Sequence, residues 1–283
     1  MAAVTVIDTH QHLWDLSVRD QDWLSGPGLE PLRRDFTLDD LRPLAAAAGV
    51  DATVLVQTIC VPEETPEFLA LAAVDPLVAG VVGWTDLTSP AVADALAALR
   101  KLPGGDRLVG IRHQVQGEAD PDWLLRPDVD RGLAAVASAG LAYDLVLRPE
   151  QLSAAVVAAR GRPGLTFVLD HLGKPPIRPR DPDTWAADLH ALARLPNTVA
   201  KLSGLVTEGD WHSWDVADLR PFVAVALEAF GPERLMFGSD WPVCTLAADY
   251  EEVVATTHEL LADLSAHERD EVLGGTAARA YGL

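Results

Sequence analysis

His10 and His12 stand two residues apart in Asp8-Thr9-His10-Gln11-His12, directly after the apolar run VTVID at 4–8. In an extended strand this spacing puts both imidazoles on one face, where they can hold one metal ion or polarise one carbonyl oxygen. The competing reading, stacked and hydrogen-bonded histidines, is weakened by the position at the end of the first apolar run. Two further runs end in polar groups: Val168-Leu169-Asp170-His171, and Phe237-Gly238-Ser239-Asp240 before Trp241-Pro242. Alternation turns His171 and Asp240 inward with the histidine pair and points Asp170 the other way, as a contact behind the site or between strand and helix. A carboxylate beside imidazoles is what activation of a water requires: a base within reach of the water, next to groups that polarise a carbonyl. Asp240 could instead cap a helix expected over 246–262, but several residues including Pro242 intervene.

A fourth run ends Gly110-Ile111-Arg112-His113-Gln114, with a cation and an imidazole on opposite faces, so only one can enter a common site. Arg112 would orient a substrate hydroxyl or carboxylate; the alternative is a pairing with one of the many acids. His113 is the other candidate for substrate binding. Eight tryptophans against three tyrosines is an unusual ratio, and Trp14, Trp84, Trp211, Trp214 and Trp241 all follow run ends. Each alone reads as packing, whereas the set suggests a pocket for a compact, uncharged ring. His190, His258 and His267 fall in helical stretches and read as surface residues.

The elements that must position these groups follow from period. Eight short β-branched runs, at 4–8, 53–57, 78–84, 108–113, 142–147, 165–171, 198–203 and 234–240, alternate with Ala/Leu-rich stretches of helical spacing, the clearest starting at 39, 65, 89, 149 and 215. Strands this apolar are buried on both faces. Eight β-α units in 283 residues predict a (β/α)8 TIM barrel, one domain over 1–283, whose chemistry sits at the carboxyl ends of the strands. The runner-up, a doubly wound open sheet, would carry a Gly-rich phosphate turn, and neither GxGxxG nor GxxxxGK[ST] occurs. The Pro-rich stretch at 173–184 reads as an active-site loop rather than a linker.

Composition narrows the partners. With 22 Lys plus Arg against 42 Asp plus Glu, the net charge is −20, and only three basic residues are lysines, far apart. Counterion release from a nucleic acid needs clustered cations, so nucleic acid is excluded as a partner. No apolar run approaches the ~20 residues of a membrane span. Cys60 and Cys244 are too few for a disulfide framework or a thiolate zinc site, which fits a reducing compartment. The amino terminus lacks a basic region and a long apolar core, so the expected location is the cytoplasm.

The segments IDTHQHLWD, VLDHLGKP, KLSGL and MFGSDWP, in that order across nearly the whole chain, resemble the amidohydrolase superfamily. Within it the chain resembles the lactonase group of amidohydrolase-related family 2, which includes L-fuconolactonase, L-rhamnonolactonase and 2-pyrone-4,6-dicarboxylate lactonase. The resemblance implies a barrel hydrolase of carbohydrate catabolism in which His10, His12 and His171 surround a lactone carbonyl and Asp240 activates water. It allows a monomer or a homodimer. Binuclear members place a bridging Lys or Glu after strand four and a His after strand five; the ends Arg112-His113 and LVLRPE depart from that, which argues against two metals. One divalent ion such as zinc on His10, His12 and Asp240 suits two imidazoles and a carboxylate, with a metal-free site as the alternative. The expected substrate is a small neutral sugar-acid lactone. A dicarboxylated pyrone would need several of Arg112, Arg148, Arg178 and Arg180. A decarboxylase of an aromatic acid and a non-catalytic sugar-binding barrel are the remaining alternatives.

Overall fold

The computed structural model of the protein describes residues 5–177 and 182–283. All eight apolar runs are strands: β1 (Ile7–Gln11), β2 (Ala52–Val56), β3 (Val78–Gly83), β4 (Leu108–His113), β5 (Ala142–Leu145), β6 (Phe167–Leu169), β7 (Thr198–Leu202) and β8 (Leu235–Phe237). They pair in parallel, in sequence order, as one eight-stranded sheet. Closure comes from β1 meeting the chain after β8: Thr9 Oγ1 donates to the Phe237 carbonyl, Asp240 N to the His10 carbonyl at 2.8 Å, and His12 N to the Trp241 carbonyl at 2.7 Å. The barrel is therefore sealed by the same residues that carry the HxH and the Asp240 segments.

The intervening helices are α1 (Leu38–Ala47), α2 (Glu64–Val74), α3 (Val92–Leu99), α4 (Pro127–Ser138), α5 (Leu152–Gly161), α6 (Pro182–Ala193), the short α7 (Leu205–Glu208), α8 (Val216–Phe230), α9 (Tyr250–Leu260), α10 (Ala266–Asp270) and α11 (Thr276–Tyr281). The cap of α9 is Asp249, whose side chain accepts from Glu252 N, so the capping alternative for Asp240 is removed. One apolar cluster fills the space between strands and helices. A smaller one inside the barrel, with Ile7, Val56, Val82, Val168 and Met236, is stoppered by Ala277 and Tyr281 of α11. Among the described residues no helix is long and apolar enough to cross a membrane.

Seven strands differ from their expected bounds, β4 alone matching, and three of them differ most. β1 runs Ile7–Gln11 rather than 4–8, of which residue 4 lies outside the described residues, so His10 sits within the strand. A register irregularity between Asp8 and Gln11 breaks the alternation there. Asp8 consequently leaves His10's side and accepts from Ser239 N (2.8 Å), Ser239 Oγ (2.6 Å) and Tyr250 OH (3.0 Å), tying β1, the chain after β8 and α9 together. β6 and β8 are three residues long, because turns rather than extended backbone follow Leu169 and Phe237. The predicted loop 173–184 is described up to Ile177, and its residues from 182 open α6.

Glu64, the first residue of α2, is buried and fixes the loop after β2 by accepting from Thr58 N at 2.9 Å and from Thr58 Oγ1. Burial pushes its carboxyl up to about 7, against the bonds from Thr58 and Ile59. A carboxyl that stays protonated in the fold but not in the unfolded chain stabilises fully at low pH, and that stability is lost as pH rises through about 7. Glu64→Gln should therefore gain on the wild type between pH 5 and 8, by on the order of 2–3 kcal/mol. Urea unfolding at the two pH values checks this, and a difference independent of pH would refute it.

Candidate active site

His10 and His12 project from β1 into the barrel mouth with their Nε2 atoms 3.1 Å apart. Asp240 Oδ1 lies 3.4 Å from His12 Nε2 and 3.7 Å from His10 Nε2. His12 Nδ1 sits 2.8 Å from the Val56 carbonyl, which can only accept, so Nδ1 carries a hydrogen and Nε2 is the nitrogen that faces inward. His171 packs its ring 4.5 Å from that of His10, and its Nδ1 lies 2.9 Å from Ser203 Oγ.

Two tight turns deliver the remaining groups. His171 and Asp240 both have left-handed backbone, φ 53° and 58°. Val168 faces the barrel interior, so alternation brings Asp170 inward two residues on, contrary to the expectation that it points away, though it does serve as a contact behind the site; the left-handed backbone at His171 then turns that ring inward as well. Room for the turns is made by glycines: a Cβ on Gly204 would stand 2.5 Å from His171 Nδ1, and one on Gly238 would stand 2.8 Å from His10 Cβ. The glycines of KLSGL and MFGSD are thus close-approach positions.

Beneath the histidines lies a network of buried charges. Lys201 of β7 is fully buried; its Nζ is 2.6 Å from Asp144 Oδ2, 3.0 Å from Asp170 Oδ1 and 3.2 Å from His10 Nδ1. Arg112 of β4 donates to Asp170 Oδ2 at 2.9 Å and to the Gln57 carbonyl, and its NH1 lies 3.2 Å from His10 Nε2. Tyr281 of α11 donates to Asp144 Oδ2 at 2.7 Å. Burial alone would raise the Asp170 carboxyl, but Lys201, His10 and Arg112 outweigh it and hold it well below its ordinary value. Burial pushes the His10 and His171 imidazoles down, which keeps both rings neutral at neutral pH. For Asp240 burial is again outweighed, here by His171, His12 and His10, and its carboxyl is held below the usual range.

The family model for amidohydrolases matches residues 7–283. The chain is 41% identical over 288 residues to an L-fucono-1,5-lactonase of Burkholderia multivorans (strain ATCC 17616 / 249), covering 98% of this chain and 96% of that protein. The chain belongs to the amidohydrolase family. An L-fucono-1,5-lactonase of Burkholderia ambifaria is 38% identical, with 97% and 94% covered. A crystal structure of a Burkholderia multivorans amidohydrolase with bound zinc superposes with a TM-score of 0.93 at 41% identity, covering 99% of both chains.

The donor set of this amidohydrolase fits a divalent cation. His10 Nε2, His12 Nε2 and Asp240 Oδ1 lie within 4.8 Å of one another and are all buried. Two imidazole nitrogens facing each other beside a carboxylate repel unless a proton or a cation sits among them, and two imidazoles, one carboxylate and open positions form a ligand set that suits zinc. A second group, His10, Asp170 and His171, meets the same spacing, but Asp170 Oδ1 is the oxygen nearest Lys201. That cation already neutralises it.

The four catalytic candidates and Arg112 converge; the other substrate-binding candidates, His113, Trp14, Trp84, Trp211 and Trp241, do not. The cavity above the histidines, about 200 Å3, is lined by His12, Arg112, His171 and Asp240, together with Trp23, Lys174 and Glu208. His113 faces away from it, stacked on Trp123 at 4.2 Å with its Nε2 2.8 Å from Glu118 Oε1, because Arg112 takes the inward position. None of Trp14, Trp84, Trp211 and Trp241 lines this cavity. Trp241 is buried against Phe36, Trp84 Nε1 donates to His113 Nδ1, and Trp211 Nε1 donates to the Thr207 carbonyl. Trp14 lines a separate groove of about 610 Å3 with Phe36 and Leu71, remote from the histidines. The ring at the mouth is Trp23, whose position in a single 3-10 turn, Asp22–Ser25, carries no periodic signal. Lys201 and Asp144 were legible as charges inside fully apolar runs, a pattern that marks a paired buried group.

Lys201→Met would strand two buried carboxylates and should cost about 3–5 kcal/mol of stability. Adding Asp144→Asn to that variant should recover part of the loss, since one of the stranded charges is removed. Urea denaturation of the three proteins measures both, and equal stability of wild type and Lys201→Met would refute the pairing.

Proposed function

We propose that this hydrolase opens the ring of a small, neutral sugar-acid lactone by attack of water on its carbonyl carbon. The supporting observation is the meeting of Asp240 with His12 and His10, at 3.4 and 3.7 Å, on the wall of a cavity of about 200 Å3 in a chain 41% identical to an L-fucono-1,5-lactonase.

Asp240, ionised, takes one proton from the attacking water as the new C–O bond forms. Charge developing on the carbonyl oxygen is met by His171 and by the Arg112 guanidinium, both on the same cavity wall. Collapse breaks the bond to the ring oxygen, and the proton held on Asp240 passes to that oxygen, giving an open-chain hydroxy acid. Zinc bound to His10, His12 and Asp240 would supply Lewis-acid polarisation of the carbonyl.

Charge favours this substrate class over a dicarboxylated pyrone or an aromatic acid awaiting decarboxylation, because carboxylates need unengaged cations. Arg112 is engaged by Asp170, and Arg148 donates to the Gln116 carbonyl with Glu150 3.6 Å away. Arg178 and Arg180 lie outside the described residues.

Asp240→Asn should lower turnover of an aldonolactone by about 10²–10⁴-fold while leaving the melting temperature within a few degrees. A pH-indicator assay on purified protein, before and after chelation and zinc re-addition, reads this directly. Chelation should remove activity and zinc restore it. Because the Asp240 carboxyl is held below its ordinary value, its own protonation should not limit kcat/KM until well into the acid range, so a loss that sets in at higher pH reports release of the metal. Full turnover by Asp240→Asn would overturn the reading.

A further inference from the structure

Four non-glycine residues among those described have a left-handed backbone: His171, Leu172, Lys174 and Asp240, at φ 53°, 51°, 57° and 58°. Such backbone is strained for a residue with a side chain and persists only where the surroundings hold it, which concentrates it at functional sites. Three of the four line the cavity above the histidines. Two of these, His171 and Asp240, already have a place in the proposed chemistry; the third, Lys174, does not.

Lys174 Nζ lies 3.1 Å from Glu208 Oε1, with the two side chains 28% and 24% exposed. Glu208 is the last residue of α7, so the pair joins the turn after β6 to the short helix after β7 across the mouth. Beyond them a second chamber of about 610 Å3 opens, and both residues line it as well. The pair thus stands at the neck through which a substrate passes, beside Trp23, Gln114 and Gln116, which line both chambers too. With Arg112 on Asp170 and Lys174 on Glu208, each cation that lines the inner cavity among the described residues faces a carboxylate.

Resting on the lactonase reading above, we propose that the Lys174–Glu208 ion pair recognises the hydroxyl groups of the lactone and excludes lactones that carry a negative charge. An ammonium offers donors only and a carboxylate acceptors only, so together they match a vicinal diol, one of whose hydroxyls accepts while its neighbour donates. A lactone without hydroxyls leaves a half-buried ion pair short of partners, and an anionic one meets Glu208 with no unpaired cation among the described cavity residues to balance it. The interaction is made equally in the ground state and the transition state, so it acts on KM rather than kcat.

The test compares wild type, Lys174→Met, Lys174→Arg and Glu208→Gln on three substrates: a polyhydroxylated aldonolactone, an unsubstituted six-membered lactone and an aldonolactone bearing a carboxylate. Lys174→Met and Glu208→Gln should raise KM for the polyhydroxylated lactone by about 10–100-fold, with kcat changed by less than about threefold. Their KM for the unsubstituted lactone should not move, and Lys174→Arg should recover most of the loss. Glu208→Gln, which frees Lys174, should lower KM for the carboxylate-bearing lactone. An unchanged KM for the polyhydroxylated lactone in both variants, or an equal loss on the unsubstituted one, overturns the inference while the lactonase reading stands. A wild-type enzyme that opens no lactone overturns both.

Discussion

A charge buried in a barrel is tolerated only when an opposite charge and hydrogen bonds meet it, and Lys201 is the point at which this protein satisfies that constraint. Its ammonium is fully buried between Asp144 and Asp170, with Arg112 completing the balance from β4, so two cations face two carboxylates. Low local dielectric makes such a set strong when complete and destabilising when one member is missing. His10 lies directly on it, its Nδ1 3.2 Å from Lys201 and 3.3 Å from Asp170. The orientation of the first imidazole is therefore fixed by β5, β6 and β7 rather than by β1, which carries it. Tyr281 extends the same network to α11, so the last helix stoppers the barrel and also bonds to the charges beneath the site.

Above this floor, the site depends on backbone that a regular strand cannot supply. β6 and β8 stop after three residues, and left-handed turns then aim His171 and Asp240 at the histidine pair. The strain is held by closure of the barrel, where Asp240 N bonds to the His10 carbonyl and Asp8 clamps Ser239. Gly204 and Gly238 let the neighbouring chain approach within a distance that a Cβ would forbid. Fold closure and site assembly are in this sense one event.

The mouth has a different character from the floor. Its ion pair, Lys174 with Glu208, is partly exposed and lies on turns, where screening keeps the net contribution to stability small. Groups of this kind add little to folding and are free to serve recognition. The balance of charge on the described cavity wall accords with the proposed neutral substrate, and the −20 of the whole chain would disfavour anions further.

Periodicity alone determined the architecture: eight apolar runs alternating with helical stretches leave few ways to bury both faces of every strand, and all eight runs became strands. The convergence of His10, His12, His171 and Asp240 was also legible, because polar residues ending such runs must gather at one rim. What the sequence could not decide was anything set by turns or by partners distant along the chain. His171 faces inward beside Asp170 because a left-handed turn replaces alternation there; His113 faces outward because Arg112 is drawn in by Asp170, 58 residues away. The tryptophans that follow strand ends find partners outside the cavity, Trp241 on Phe36 and Trp84 on His113, while Trp23, from a single 3-10 turn, reaches the mouth. Local pattern fixes which face of a strand is apolar, but the direction of a turn and the pairing of a buried charge are settled only when the distant segments meet.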